Sequence, residues 1–164
     1  WLLEQGCQLV VLGQGEPALQ DALRDAATRR PDAVAVFVDF NEALAHGIEA
    51  GADVFLMPSR FEPCGLNQMY SQAYGTLPVV HATGGLADSV EDVKSGAEGV
   101  TGTGFVMPEP TVSALQHALQ RALALFAQPQ DWRRVQEQGM ARDFGWESSA
   151  RAYEGVYRGI LAGR

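Results

Sequence analysis

The sequence predicts an α/β fold in which a doubly wound, mostly parallel sheet is followed by extra C-terminal helices. The first two-thirds of the chain contain short apolar runs that are continuous rather than alternating, which is typical of strands buried on both faces. Segments with helical periodicity separate these runs, as in βαβ units. Only helical patterns follow Pro110, which predicts that the sheet ends before that residue.

The predicted strands and helices alternate from the start of the chain. Pro17 opens the first helix, at a position where its missing N–H has no intrahelical partner to lose. Asn41 is expected to cap the second helix and Gly51 to end it. A third helix is expected to begin near Gly65, and a short fourth one after Gly84-Gly85. The predicted strands cover residues 8–12, 33–38, 53–57 and 77–80.

The last third of the chain has a different pattern. Residues 96–104 are predicted to form a glycine-rich loop that leads into an apolar run over 105–107. The predicted helices after it cover residues 111–126, 130–141 and 146–161, and packing is expected to explain their Trp and Tyr residues. The 164 residues suit one domain, with an α/β sheet core over 1–107 and C-terminal helices over 111–164.

Composition and charge exclude several classes of protein. The net charge of −8 and the scattered Lys and Arg residues argue against nucleic-acid binding, which requires a basic face. No apolar run approaches the roughly 20 residues of a membrane helix. The two cysteines, Cys7 and Cys64, have neither CxxC spacing nor clustered histidines, so no zinc or redox site and no cofactor is expected. The chain lacks an initiator Met and is expected to be part of a longer, cytoplasmic protein.

Ligands of a doubly wound sheet bind beyond the carboxyl ends of its strands. The loops at those ends cover residues 13–15, 39–41, 59–65 and 81–85. Gly13-Gln14-Gly15 is half of a dinucleotide-binding fingerprint, but it lacks the third glycine, and Asp39 is only a weak candidate for the acidic partner. An ordinary tight turn is therefore the favoured interpretation of this first loop.

The segment over residues 59–68 is the most informative. Glu62 lies between a strand end and a helix start, where it could accept hydrogen bonds from sugar hydroxyls. The backbone N–H groups of Gly65, Leu66 and Asn67 could hold a phosphate at the positive end of the helix, and Gly65 would let the ligand approach closely. From the residues alone, a simple helix-dipole role for Glu62 stays equally open.

A similar arrangement follows the next strand, over residues 81–86. Thr83, Gly84 and Gly85 could complete a cradle shared with the Glu62 segment, although a glycine turn capped by Thr83 is the simpler alternative. Cys64 stands near a helix start, but no histidine close in sequence could act as its base, so a nucleophilic role is disfavoured.

Several segments in order resemble the signature of glycogen and starch synthases of the bacterial type. They are Asp53-Val54-Phe55-Leu56-Met57-Pro58-Ser59-Arg60-Phe61-Glu62-Pro63-Cys64-Gly65-Leu66, Tyr74-Gly75-Thr76-Leu77-Pro78-Val79-Val80, Thr83-Gly84-Gly85-Leu86-Ala87-Asp88, Gly104-Phe105, and the later Trp132, Phe144, Trp146 and Tyr153. The resemblance covers essentially the whole chain. It implies the C-terminal Rossmann-like domain of a GT-B glycosyltransferase, a domain that binds a nucleotide sugar.

Members of this family transfer glucose from ADP-glucose to the nonreducing end of an α-1,4-glucan with retention of configuration. The resemblance implies that Glu62 is the catalytic residue that binds the glucose hydroxyls, and that Phe40 stacks on adenine, where a Tyr is common. Tyr70 stands where many relatives with this fold have a second Glu, a departure that synthases of the bacterial type share. The substrate-binding residues it implies are Phe40, Cys64, Gly65, Leu66, Asn67, Thr83, Gly84 and Gly85.

The resemblance also implies that the chain is inactive alone. The family's Arg and Lys that stabilise the leaving diphosphate precede the position of Trp1, and the N-terminal domain precedes them. The last helix, from Trp146, crosses to that domain in the family, so its docking face is expected to be exposed here. The expected partners are thus ADP-glucose, an α-1,4-glucan and the N-terminal domain, with no nucleic acid and no membrane, in a bacterial cytoplasm rather than a plastid.

Two other functions stay open at this point. One is a GT-B transferase that uses a UDP-sugar, such as a sucrose or trehalose-type synthase, against which the segment over residues 62–66 and Tyr70 argue. The other is a non-catalytic module that binds a nucleotide or a glucan. The choice of donor nucleotide would separate the first from an ADP-glucose enzyme.

Overall fold

The computed structural model describes residues 1–97 and 99–163 of the chain. Contacts divide it into two compact units, Trp1–Gly51 and the residues from Ala52 onward. Both units contain parallel strands that are joined by helices, which confirms the predicted α/β class. In the described residues, no helix is both long enough and apolar enough to cross a membrane.

The first unit contains one parallel strand pair. The strands β1 (Leu9–Leu12) and β2 (Val34–Phe37) pair in register, with Leu9 opposite Val34. The helices α1 (Pro17–Arg29) and α2 (Glu42–Gly51) follow them in the chain. The predicted cap is confirmed, since the Asn41 side-chain oxygen accepts a hydrogen bond from the Leu44 N–H at 2.9 Å.

The second unit contains a three-stranded parallel sheet. Its strands β3 (Val54–Met57), β4 (Leu77–His81) and β7 (Phe105–Met107) lie in the order β3-β4-β7. The helices α3 (Asn67–Tyr74) and α4 (Gly84–Ser89) follow β3 and β4 in the chain. All five residues of the central strand β4 are buried. Because the strands are parallel, their carboxyl ends share one edge, where the Glu62 and Gly84 segments begin.

Two details of this unit differ from the prediction. The glycine-rich loop expected over residues 96–104 overlaps an antiparallel hairpin of β5 (Lys94–Gly96) and β6 (Gly99–Thr101), whose three-residue strands are too short to give a clear alternating pattern. The helix expected near Gly65 begins at Asn67. Gly65 has a φ of +74°, in the left-handed region, and so it cannot belong to the helix.

Three helices end the chain, and they differ in burial. In α5 (Val112–Phe126) and α6 (Pro129–Met140) apolar residues are buried, among them Leu119, Trp132 and Val135. The helix α7 (Trp146–Ala162) buries none of its described residues, and Trp146 is 89% exposed. Packing therefore explains Trp132, as predicted, but not the aromatic residues of α7. Those residues form the exposed apolar face that the family resemblance implied.

Candidate functional site

The loop after β3 and the turn after β4 are packed against each other. The loop covers residues 59–66 and is called the Glu62 loop, and the turn covers residues 83–85 and is called the Gly84 turn. The Gly85 N–H donates a hydrogen bond to the Glu62 carbonyl oxygen at 3.3 Å. A Cβ at Gly84 would overlap the Glu62 carbonyl oxygen, and one at Gly85 would lie 2.7 Å from the Cys64 Cα. Both glycines are thus required for the close approach of the two segments.

Gly65 is closely surrounded by neighbouring side chains. A Cβ at this position would lie 2.6 Å from the Gln68 side-chain oxygen and 3.1 Å from the Met57 methyl carbon. A Cβ at Gly65 would therefore point toward Gln68 and Met57. Glycine is needed here because of its positive φ and its contact with Gln68.

The Glu62 loop leaves several polar groups without partners. Within the described residues, none of the backbone N–H groups of Cys64, Gly65, Leu66 and Asn67 donates a hydrogen bond. The Glu62 side chain is partly buried, and no ion pair or hydrogen bond within those residues involves its carboxylate. A carboxylate and several free N–H groups therefore lie on one loop at the start of α3, where the helix dipole favours an anion.

Gln68 and Ser89, for which the sequence predicted no role, lie under this loop. The Gln68 side chain is 1% exposed, and its Nε2 lies 3.2 Å from the Cys64 carbonyl oxygen and 3.1 Å from that of Gly65. It also lies 3.0 Å from the Ser89 hydroxyl oxygen. The only signal in the sequence was a pair of Gln residues four apart, at 68 and 72, which share one face of a helix.

His81 holds the beginning of the Glu62 loop. Its Nδ1 lies 2.8 Å from the Ser59 carbonyl oxygen. A carbonyl oxygen can only accept, so Nδ1 carries the proton in this contact. The ring is mostly buried at the end of β4. A side chain from β4 thus fixes the point where the loop leaves β3.

Cys64 and Phe40 are both exposed. The Cys64 thiol lies 3.5 Å from the Gly65 carbonyl oxygen, a contact with its own neighbour and not with a histidine. Phe40 belongs to the first unit, between β2 and α2, and its side chain is 88% exposed. Its N–H donates to the Asp39 carboxylate at 2.7 Å. Among the described residues, no group of three or more His, Cys, Asp or Glu side chains could hold a metal ion.

The core beneath the site is apolar. Val80, Leu86 and Val90 are buried together, and Met57 and Val106 pack against them. These residues come from β3, β4, β7 and the α4 segment. The packing of the strands that carry the Glu62 loop and the Gly84 turn is therefore continuous below the site.

The sequence of this chain is similar to those of known proteins. The family model described as glycosyl transferases group 1 matches residues 2–138. The chain is 60% identical to a glycogen synthase of Paracidovorax citrulli (strain AAC00-1), over 95% of this chain and 30% of the relative. It is 53% identical to a glycogen synthase of Cellvibrio japonicus (strain Ueda107), over 98% of this chain and 34% of the relative. The chain thus spans about a third of the length of these relatives.

Solved structures are similar as well. The catalytic domain of starch synthase IV from Arabidopsis thaliana, bound to ADP and acarbose, superposes with a TM-score of 0.83 at 35% identity, over 98% of this chain and 34% of that one. A sucrose-phosphate synthase from Thermosynechococcus elongatus gives a TM-score of 0.63 at 25% identity, over 96% and 39%. The predicted Rossmann-like GT-B fold and the resemblance to glycogen and starch synthases are confirmed. The matched region runs from the start of the first unit into α6, and the chain belongs to the glycosyl transferases group 1 family.

Proposed function

We propose that this chain is the donor-binding, C-terminal half of a glycogen (starch) synthase. The whole enzyme would transfer glucose from ADP-glucose to the nonreducing end of an α-1,4-glucan with retention of configuration. One observation carries the proposal: a partly buried carboxylate and a row of free backbone N–H groups share the loop that is packed on the Gly84 turn. That combination suits a sugar joined to a diphosphate.

Each part of the site has a proposed role. The N–H groups of Gly65, Leu66 and Asn67 bind the diphosphate at the start of α3, where the dipole favours negative charge. The Glu62 carboxylate accepts hydrogen bonds from glucose hydroxyls and orients the ring for transfer. Thr83 and the Gly84 turn close the opposite side of the sugar. The backbone of Cys64 lines the same pocket, with its thiol taking no part as a nucleophile.

Phe40 is the proposed adenine contact. An exposed phenyl ring can stack on a base, and such stacking contributes about 1–3 kcal/mol. A Phe keeps the stacking of the Tyr common in the family but lacks its hydroxyl. ADP-glucose is the proposed donor because the relatives are glycogen synthases and the starch synthase neighbour was solved with ADP.

The chain is proposed to act as one nucleotide-sugar-binding domain over 1–164 and to be inactive alone. The positive charges that would stabilise the departing diphosphate are expected on a segment outside the 164 residues, as is the N-terminal domain that would close the cleft. The N-terminal domain and the glucan are thus its proposed partners, in a bacterial cytoplasm. The isolated chain should not elongate glycogen from ADP-glucose.

Calorimetric titration of the chain with ADP, ADP-glucose and UDP-glucose tests this function. The adenine ligands should bind better than UDP-glucose, and Phe40→Ala should weaken ADP binding by about 1–3 kcal/mol. Tyr153→Ala is the matched control, because Tyr153 is an exposed aromatic residue on α7. A preference for UDP-glucose would instead favour a UDP-sugar transferase. Elongation of glycogen by the chain alone would refute the proposed inactivity.

A further inference from the structure

We propose that Gln68 is a positioning residue that, together with Ser89, aims the backbone N–H groups of the Glu62 loop at the donor diphosphate. This inference rests on the proposed function for its ligand. The geometry of the two side chains stands independently of that function. Neither residue would touch the substrate, so their effect would pass through the loop they hold.

The orientation of the Gln68 amide is fixed by its neighbours. Two of the three groups near Nε2 are the carbonyl oxygens of Cys64 and Gly65, which can only accept. The NH2 end of the amide must therefore face the loop. The third group is the Ser89 hydroxyl oxygen at 3.0 Å. Nε2 has two hydrogens for these three acceptors, so one hydrogen is shared.

Ser89 extends this contact to the Gly84 turn. Its hydroxyl donates to the Gly85 carbonyl oxygen at 2.6 Å, which leaves the oxygen free to accept from Gln68. A chain of two hydrogen bonds thus runs from α3 through α4 to the turn. Gln72 supports it from the next turn of α3, because its Nε2 lies 2.9 Å from the Gln68 carbonyl oxygen and 3.2 Å from that of Ser89.

Because the peptide bond is planar, the contact of Gln68 with two carbonyl oxygens also fixes the direction of the N–H groups that follow them. In a trans peptide, the carbonyl oxygen of one residue and the N–H of the next point to opposite sides, and the described chain has no cis peptide bond. With the Cys64 and Gly65 oxygens held toward Gln68, the N–H groups of Gly65 and Leu66 point away from the interior. These are two of the N–H groups proposed to bind the diphosphate.

The burial of Gln68 also favours a positioning role over a purely stabilising one. The side-chain oxygens of Gln68 and Gln72 are buried and have no hydrogen-bond partner in the described residues. An unsatisfied buried acceptor costs free energy, which an apolar side chain of similar length would avoid. What the amide supplies, and an apolar side chain would not, is a donor under the loop.

Amide hydrogen exchange measured by NMR tests the positioning role without any ligand. The Gly85 N–H reports on the loop directly, because its acceptor is the Glu62 carbonyl oxygen. Gln68→Met keeps the length of the side chain and removes the donor. It should speed exchange of the Gly85 N–H by about tenfold relative to the Val93 N–H, which donates to Gly104 elsewhere in the unit.

The second measurement is the affinity for ADP, with Gln136→Met as the matched control. Gln136 makes the same kind of contact, from Nε2 to the Gly75 carbonyl oxygen at 2.6 Å, outside both segments. Gln68→Met should weaken ADP binding by about three- to tenfold, while Gln136→Met should leave it unchanged. Ser89→Ala should also speed exchange of the Gly85 N–H. In a chain that already carries Gln68→Met, it should increase that exchange rate little further.

The outcomes separate this inference from the proposed function. Unchanged relative exchange at Gly85 in both Gln68→Met and Ser89→Ala would overturn the positioning role. Faster exchange with unchanged ADP affinity would overturn its connection to the diphosphate. If the unaltered chain binds no nucleotide, the proposed function fails, while the exchange measurement still decides whether Gln68 and Ser89 hold the loop. Should Gln68→Met not fold, Ser89→Ala alone gives that decision.

Discussion

The carbonyl oxygen of Glu62 lies so close to Gly84 that any side chain at position 84 would overlap it. The same relationship joins Gly85 to the backbone of Cys64. Gly84 also has a φ of +44°, in the left-handed region, whereas the φ of Gly85 is not positive. A substitution at Gly85 therefore tests the close approach of the two segments alone, without backbone strain.

Gly85→Ala should lower stability and nucleotide-sugar binding together. The added methyl group must push the Glu62 loop away from the Gly84 turn, and overpacking of this kind costs about 1–3 kcal/mol. Urea denaturation would measure the free energy of unfolding. Gly139→Ala is the control within α6 of the same unit, because the nearest atoms to its Cβ would be those of Gln72, at an ordinary 3.6 Å. Equal free energies of unfolding of the two variants would contradict the close contact between Gly85 and the backbone of Cys64.

Glu62→Gln should weaken binding of ADP-glucose but not of ADP. The carboxylate is proposed to accept hydrogen bonds from glucose, and the loss of a charge-assisted bond costs about 1.5–3 kcal/mol, or roughly 10- to 100-fold in affinity. ADP has no glucose, and removal of a negative charge would only favour a diphosphate. Titration calorimetry with both ligands measures the difference between the two effects.

Glu137→Gln is the matched control for this prediction. Glu137 is an exposed carboxylate on α6, outside the Glu62 loop and the Gly84 turn. This variant should bind ADP and ADP-glucose with the same affinities as the unaltered chain. If Glu62→Gln lost affinity for ADP and ADP-glucose equally, Glu62 would act by stabilising the loop and not by binding glucose.

The surroundings of Gly65 show which features of the candidate site the local sequence does not predict. The apolar runs of β3 and β4, and the glycines after them, predicted two neighbouring loops that the structure packs against each other, because these features depend on local sequence. The contact between Gly65 and Gln68 could not be predicted in this way. That contact depends on how the loop folds back on α3, and the Gln68–Ser89 contact joins residues 21 positions apart.

The hairpin β5–β6 shows a second limit of the sequence. Its glycines gave a strong signal for turns, but two three-residue strands carry too few residues to establish a period of two. Gly102 is close to the backbone of Val93, where a Cβ would lie 2.7 Å from its Cα. Such a contact is set by tertiary packing and leaves no pattern along the chain.

Glu49→Gln should stabilise the chain increasingly as the pH rises. Glu49 is 3% exposed, and burial raises the pKa of its carboxyl group, although nearby His46 partly opposes this. A carboxyl whose pKa is raised in the folded state contributes stability below its unfolded pKa and loses it as the pH rises through the folded value. The variant should therefore gain relative stability as the pH rises above about 4.

Thermal or urea unfolding at several pH values measures this trend. Glu42→Gln is the control, because Glu42 lies exposed at the start of the same helix α2. Its charge favours the helix dipole, so its loss should bring no gain at neutral pH. A stability difference for Glu49→Gln that stays constant across this range would contradict the raised pKa.

The helix α7 should contribute little to the stability of the isolated chain. It buries none of its described residues, and its large apolar side chains are exposed, including Trp146, Tyr157 and Ile160. A chain that ends at residue 145 should keep the unfolding midpoint of the full chain. Ile160→Ala should change the free energy of unfolding by less than about 0.5 kcal/mol, as is usual for surface positions.

Val135→Ala in α6 is the buried comparison for Ile160→Ala and for the shortened chain. Val135 is fully buried, so its truncation removes packed methyl groups and should cost about 1–3 kcal/mol. Urea denaturation of the three variants side by side would rank them. A large loss of stability in Ile160→Ala or in the shortened chain would mean that α7 is packed in solution. A similar midpoint for the shortened chain would mean that the core is complete without α7.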